Sequence, residues 1–151
     1  MRIVIQRVSS AHVDVDGQTV GSIDHGLLAL VGISHKDTSM QVAWMAEKIL
    51  ALRIFPDDDR KMNLSIKETG GGILLVSQFT LYGDVSKGTR PSFVDAARPE
   101  HAQPLFDELV KRVHDLSRDA PSPISIATGV FGAMMDVHLV NNGPVTILLE
   151  R

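Results

Sequence analysis

Leu27-Leu28-Ala29-Leu30-Val31-Gly32-Ile33 is a run of seven residues with no polar side chain. A strand with one wet face alternates apolar and polar residues. A run without alternation, entered through the turn residues Asp24-His25-Gly26, reads as a strand covered on both faces. Ile73 to Phe79 reads as a second strand of the same kind. Two such strands require apolar material above and below them, and that requirement decides the architecture.

Outward from this run, residues 2–8 and 11–15 alternate as strands, with a short break at Ser9-Ser10. Asp16-Gly17 is a type I′ hairpin signal, and 18–23 pairs back across it. Asp37 to Ser39 offers helix N-caps. Val42, Met45, Ala46, Ile49 and Leu52 then recur at helical spacing to about Arg53. Residues 56–72 read as a loop or irregular hairpin, with strand near 63–67, and 83–98 is a long polar stretch. Pro99 opens a second helix, with Ala102, Leu105, Phe106, Leu109, Val110, Val113 and Leu116 on one face and Pro104 in or near its first turn. Strands are expected at 124–127, 134–141 and 144–149, with a Gly-Pro turn between the last two.

The expected fold is one α/β domain over 1–151. Mostly antiparallel or mixed β-sheets form a barrel-like or two-sheet core with two main helices. The helices cover one side of the buried strands; a second sheet or a partner subunit covers the other.

Composition sets the bounds. The 151 residues are 44% hydrophobic and 22% charged, ordinary values for a globular protein. With no cysteine, the chain has no disulfide framework, no thiolate catalysis and no cysteine-ligated metal. No apolar run is long enough to span a bilayer, and the alternating start lacks a signal-peptide block, so a cytoplasmic protein is expected. A net charge of −3 provides no global basic field, and a nucleic-acid partner would need a local patch.

The chemical candidates are few. His12, His25, His35, His101, His114 and His138 form no HxH or HExxH pattern and read as surface or satisfied histidines. Asp57-Asp58-Asp59 lacks the further ligands of a calcium loop, and Gly70-Gly71-Gly72 lacks the Lys-Ser/Thr of a phosphate loop. Lys87, Arg90 and Arg98 are either solvated charge or phosphate contacts. Ser77-Gln78-Phe79-Thr80 is more informative, because it puts hydroxyls at the end of a buried strand. Three readings stand: Thr80 as a nucleophile with a remote base, backbone N–H groups of 78–80 as an oxyanion hole, or a turn capped by its own hydroxyls.

Several separated motifs resemble the D-aminoacyl-tRNA deacylases of the bacterial and eukaryotic type. They are Ile5-Gln6-Arg7-Val8, Arg53-Ile54-Phe55 with Lys61-Met62-Asn63, Ser77-Gln78-Phe79-Thr80-Leu81, Arg90-Pro91-Ser92-Phe93, Thr128-Gly129-Val130-Phe131-Gly132-Ala133 and Asn142-Gly143-Pro144-Val145-Thr146. The family usually has Asp where this chain has Asn142, which removes a charge but keeps a turn-forming side chain.

The resemblance implies a homodimer, formed through the sheet region, with each active site at the subunit interface. Gly143 and Pro144 of one subunit, in the cis form, would enter the other's site and reject L side chains by steric conflict. Arg7 would brace that motif. Ala102, Phe131 and Met135 would lie near the terminal adenosine. The reaction implied is hydrolysis of the ester at the tRNA 3′ end, a proofreading step of translation, with Gln78 and Phe79 amides on the oxyanion and Thr80 in the site. No metal or organic cofactor is implied, and glycyl-tRNA would escape rejection. An RNA-binding module without hydrolysis and a conventional Ser/Thr esterase are the competing readings.

Overall fold

A computed structural model describes all 151 residues. Its centre is β1 (Arg2–Val15). One edge of β1 pairs antiparallel with β8 (Asp136–Glu150) along almost its whole length. The other edge is shared. β3 (Gly26–Gly32) takes Arg2–Val8, and β2 (Gln18–Ile23) takes Ala11–Val15. β6 (Gly71–Ser77) pairs parallel with β3, and β7 (Ile124–Thr128) pairs parallel with β6. The sheet curls until β7 returns to β2. A Cβ on Gly21 would sit 2.3 Å from the Thr128 carbonyl oxygen, so the near-closure of this barrel needs a glycine there.

Two long helices, α1 (Ser39–Ala51) and α3 (Pro99–Ser117), lie on one face of the sheet. Thr38 caps α1 through a reciprocal bond with Gln41. A small hairpin of β4 (Phe55–Pro56) and β5 (Met62–Leu64) and the one-turn helix α2 (Ile66–Thr69) follow α1.

The doubly buried runs divide their side chains between two cores. Leu27, Ala29, Val31, Ile73 and Leu75 join Met45, Ile49, Phe106 and Leu109 beneath the helices. Leu28, Leu74 and Val76 face inward and meet Val8, Ala11, Val13 and Ile23 inside the curl. The expected second cover is therefore the same sheet bent back on itself. β1 serves both cores, with Ile3 and Ile5 in the first and Val8, Ala11 and Val13 in the second.

That double service explains the first departure from the sequence reading. Ser9-Ser10 does not break the strand; the register shifts there, and the bulge bends one long strand between two cores. The second departure concerns Gly143-Pro144. Residues 136–141 and 146–150 both run along β1 in one direction, so no hairpin separates them. Gln6 pairs Thr146 and Val8 pairs Asn141, leaving residues 142–145 bulged opposite Arg7 alone. The strand expected near 63–67 is present only as far as Leu64, in β5; Ser65 then caps α2, where Glu68 closes a capping box. Pro104 is the sixth residue of α3, just past the first turn, and is exposed; the bond it cannot make is the intrahelical one to the Glu100 carbonyl.

Candidate active site

β6 delivers Ser77 and Gln78 to its C-terminal end, and a 3₁₀ turn over Phe79–Tyr82 follows at once. Beside that turn lies a cavity of about 610 Å³. Its walls come from the ends of β3 and β6 (Val31, Val76), the start of α3 (Ala102), the 129–135 segment (Phe131, Met135) and the polar loop (Phe93). Phe93 meets Phe79 edge-on at 5.1 Å, and Phe131 leans on Phe106 at 5.9 Å, so aromatic packing fixes two of the walls. Asp84 and Ser92 exchange both backbone hydrogen bonds, 2.8 and 2.9 Å, which holds the base of the loop that carries Phe93.

The cavity brings together Ser77, Gln78, Phe79, Ala102, Phe131 and Met135. Thr80 flanks it without lining it, and its hydroxyl pairs with the Gln78 side-chain amide. Of the basic loop residues, only Arg98 reaches the wall, and nothing in its local sequence separates it from Lys87 and Arg90. No Asp, Glu, His or Lys lines the cavity, so no side chain there can serve as a general base.

Backbone donors are available instead. The Gln78 N–H is already given to the Val31 carbonyl at 2.7 Å, which anchors the turn. Phe79 and Thr80 open the 3₁₀ turn, where N–H groups have no partner within the helix. Of the amides at 78–80, that of Gln78 is committed to β3, while those of Phe79 and Thr80 stand at the open end of the turn.

Arg7, Gly143 and Pro144 form a separate constellation. The Gly143–Pro144 peptide is cis. Arg7 is almost fully buried and donates Nη1 to the Ile54 carbonyl at 2.5 Å, Nε to the Asn142 carbonyl at 3.2 Å and Nη2 to Asn142 Oδ1 at 3.1 Å. Asn141 Nδ2 donates to the carbonyls of Arg7 and Val145, both at 3.1 Å, across the neck of the bulge. Ile54 is held in turn, because Arg53 next to it clamps the Asn63 carbonyl at 2.6 Å. The Arg53-Ile54 and Asn63 motifs thus belong to one support running from the small hairpin to the bulge.

Gly143 and Pro144 themselves are exposed and line no part of the cavity. Val137 on the same strand does line it. From Val137 to Asn141, where the bulge begins, is four residues, or about 13 Å of strand.

The chain is thus an α/β fold whose near-closed sheet carries an apolar cavity at its strand ends, with the amides that open a 3₁₀ turn beside it. The chain belongs to the D-Tyr-tRNA(Tyr) deacylase family, whose model matches residues 4–150. A D-aminoacyl-tRNA deacylase of Opitutus terrae is 58% identical over 99% of this chain and 97% of its own. One of Halalkalibacterium halodurans is 53% identical over 99% of both. Among solved structures, a c-Myc DNA unwinding element binding protein superposes with a TM-score of 0.90 at 39% identity, covering 100% of this chain and 99% of the other.

Proposed function

We propose that this chain hydrolyses the ester of D-aminoacyl-tRNA at the 3′ end, as a homodimer in which Gly143-Pro144 of one subunit closes the cavity of the other. The observation that carries the mechanism is the lining of the cavity: an apolar bed with one cation and no acid, histidine or lysine. Such a site cannot activate water with its own side chains. The ribose 2′-hydroxyl beside the ester is the remaining group able to do so, and the protein contributes position and charge stabilisation. The N–H groups of Phe79 and Thr80 receive the oxyanion, and Ala102, Phe131 and Met135 bed the terminal adenosine.

Chirality is read by backbone. The carbonyls of Gly143 and Pro144 hold the α-amino group of the bound amino acid. A D side chain then points outward, while an L side chain meets the motif and is excluded. A filter made of backbone is indifferent to side-chain identity, so many D-amino acids pass, and glycine passes as well. Exposure of Phe79, Val130 and Met134 beside the cavity, and of Gly143-Pro144 on the sheet, supports a partner subunit covering both. No helix of the chain is long and apolar enough to cross a membrane. A cytoplasmic site of action fits the substrate.

Incubation with D-tyrosyl-tRNA and L-tyrosyl-tRNA tests the reading. The D-ester is expected to disappear and the L-ester to persist; equal slow loss of both would refute it. Sedimentation under assay conditions tests the dimer, and a fully active monomer would overturn the cross-subunit arrangement.

A further inference from the structure

We propose that His12, Asp14 and His138 form a binding site for a divalent first-row transition metal such as Zn²⁺, on the outer face of the β1–β8 pair. The sequence contains His12-Val13-Asp14 and, far away, Asp136-Val137-His138. Neither triplet is a metal motif alone. The antiparallel register sets His12 opposite His138 and Asp14 opposite Asp136. Because side chains alternate along a strand, all four project to the same side, while Val13 and Val137 turn to the inner core. The expectation that these histidines are ordinary surface residues missed a juxtaposition that only strand pairing creates.

One ligand atom from each of the three lies within 4.8 Å of the others. The two imidazoles stack with centroids 4.4 Å apart and planes 5° from parallel. Their Nε2 atoms lie 3.9 and 3.7 Å from one oxygen of Asp14, Oδ2. Those separations are too long for hydrogen bonds. An ion bonded to all three at 2.0–2.2 Å, in tetrahedral geometry, would set its ligand atoms about 3.3 Å apart. The Nε2–Oδ2 gaps must close by about half an ångström, and, because a metal lies in the plane of each imidazole that binds it, one of the two stacked rings must also turn about its Cβ–Cγ bond, which its part-exposed position allows. The other carboxylate oxygen, Oδ1, accepts from Thr19 Oγ1 at 2.6 Å, which turns Oδ2 toward the histidines. An outer partner of this kind is the usual support of a ligating carboxylate. Two imidazoles and one carboxylate favour Zn²⁺, Co²⁺, Ni²⁺ or Cu²⁺ over Mg²⁺ or Ca²⁺, and water would complete the shell.

The site stands apart from the cavity, since none of the three ligands lines it. Its effect would be on the fold. β8 pairs only with β1, so an ion held by both strands staples β8 in place.

Untagged, metal-stripped protein titrated with Zn²⁺ by calorimetry, and with Co²⁺ by visible absorption, tests this. One equivalent per chain is expected, with affinity falling at least about tenfold in His12→Ala and in His138→Ala, and also in Thr19→Val. At a hundredfold excess over Kd, Zn²⁺ should raise the melting temperature of the wild type by about 5 °C or more and leave the His12→Ala/His138→Ala double variant unmoved. Circular dichroism of each variant verifies folding, and His138→Gln, which keeps the size of the side chain, replaces any that fails. Absence of Zn²⁺ binding by the wild type, or undiminished binding by the double variant, overturns the proposal.

Discussion

Arg7→Lys is the substitution that separates support of the bulge from its chemistry. Arg7 makes three hydrogen bonds, at 2.5 Å to Ile54 and at 3.2 and 3.1 Å to Asn142. A guanidinium reaches the two residues at once because its donors are fixed in a planar fork; an ammonium on a flexible stem keeps one carbonyl and releases the rest. A bond with a charged partner contributes about 1.5–3 kcal/mol net, so losing the two bonds to Asn142 costs about 3 kcal/mol or more. For a chain of this size the melting temperature should fall by about 6–12 °C. The charge is retained, so the loss measures geometry rather than electrostatics. On the proposed function, a loosened bulge also weakens exclusion of the L side chain. Initial rates with D- and L-tyrosyl-tRNA, read well below the melting point, should show the D/L ratio dropping while D-hydrolysis persists. An Arg7→Lys protein within 0.5 kcal/mol of wild type by denaturant titration, a margin expected of a neutral surface change, would refute the bracing argument. A destabilised protein with unchanged selectivity would show that the Asn141 bonds alone position the motif.

Thr80→Ala removes a hydroxyl whose partner is an amide and not a base, so most of the deacylation rate should survive; a loss of a thousandfold in kcat would restore the nucleophile reading. Pro144→Ala should fold yet hydrolyse L-aminoacyl-tRNA, and unchanged discrimination would remove the motif from the filter. Gly21→Ala puts a methyl 2.3 Å from a backbone oxygen that cannot rotate away, and should cost more than about 2 kcal/mol in chemical denaturation; a neutral result would mean that β2 and β7 part without consequence. Glu108 accepts hydrogen bonds from Ser39 and Arg112, which hold its carboxyl below the ordinary 4.5. The unfolded chain then binds the proton first, so this contribution is present above the ordinary value and lost as pH falls through the lower folded one. Glu108→Gln should flatten the stability profile in that acid range, and an identical slope below pH 4.5 would exclude the contribution.

How far the fold could be read from residues depended on whether the cause was local. The apolar runs at 27–33 and 73–79, the Asp16-Gly17 turn and the helical spacing after Thr38 each carry their own signal, and each element formed within a few residues of expectation. Ser9-Ser10 misled because two small polar residues look alike in a break and in a bulge. Which of the two occurs depends on whether one strand must serve two cores. Gly143-Pro144 misled for the same reason. Proline excludes regular pairing at that point, but whether the chain reverses or bulges is decided by β1, more than a hundred residues away, whose Arg7 receives the loop.

The site shows the same division, with one further step. Ser77 to Phe79 were legible because hydroxyl and amide groups at the end of a buried strand must face something polar or empty, and they face the cavity. Ala102, Phe131 and Met135 carry no such signal; they are apolar residues in an apolar-rich chain, and resemblance alone singled them out before the cavity gathered them. Arg7, Gly143 and Pro144 are gathered too, but line no part of the cavity, and the bulge begins about 13 Å along β8 from Val137, the residue of that strand that does. A bulge pinned by Arg7 and Asn141 on both sides cannot swing across that span while its hydrogen bonds last. If the motif acts at the ester, a second chain must present it, and its rigidity then becomes an advantage. A backbone filter discriminates between enantiomers only when its carbonyls stay fixed to within a fraction of the methyl group they exclude.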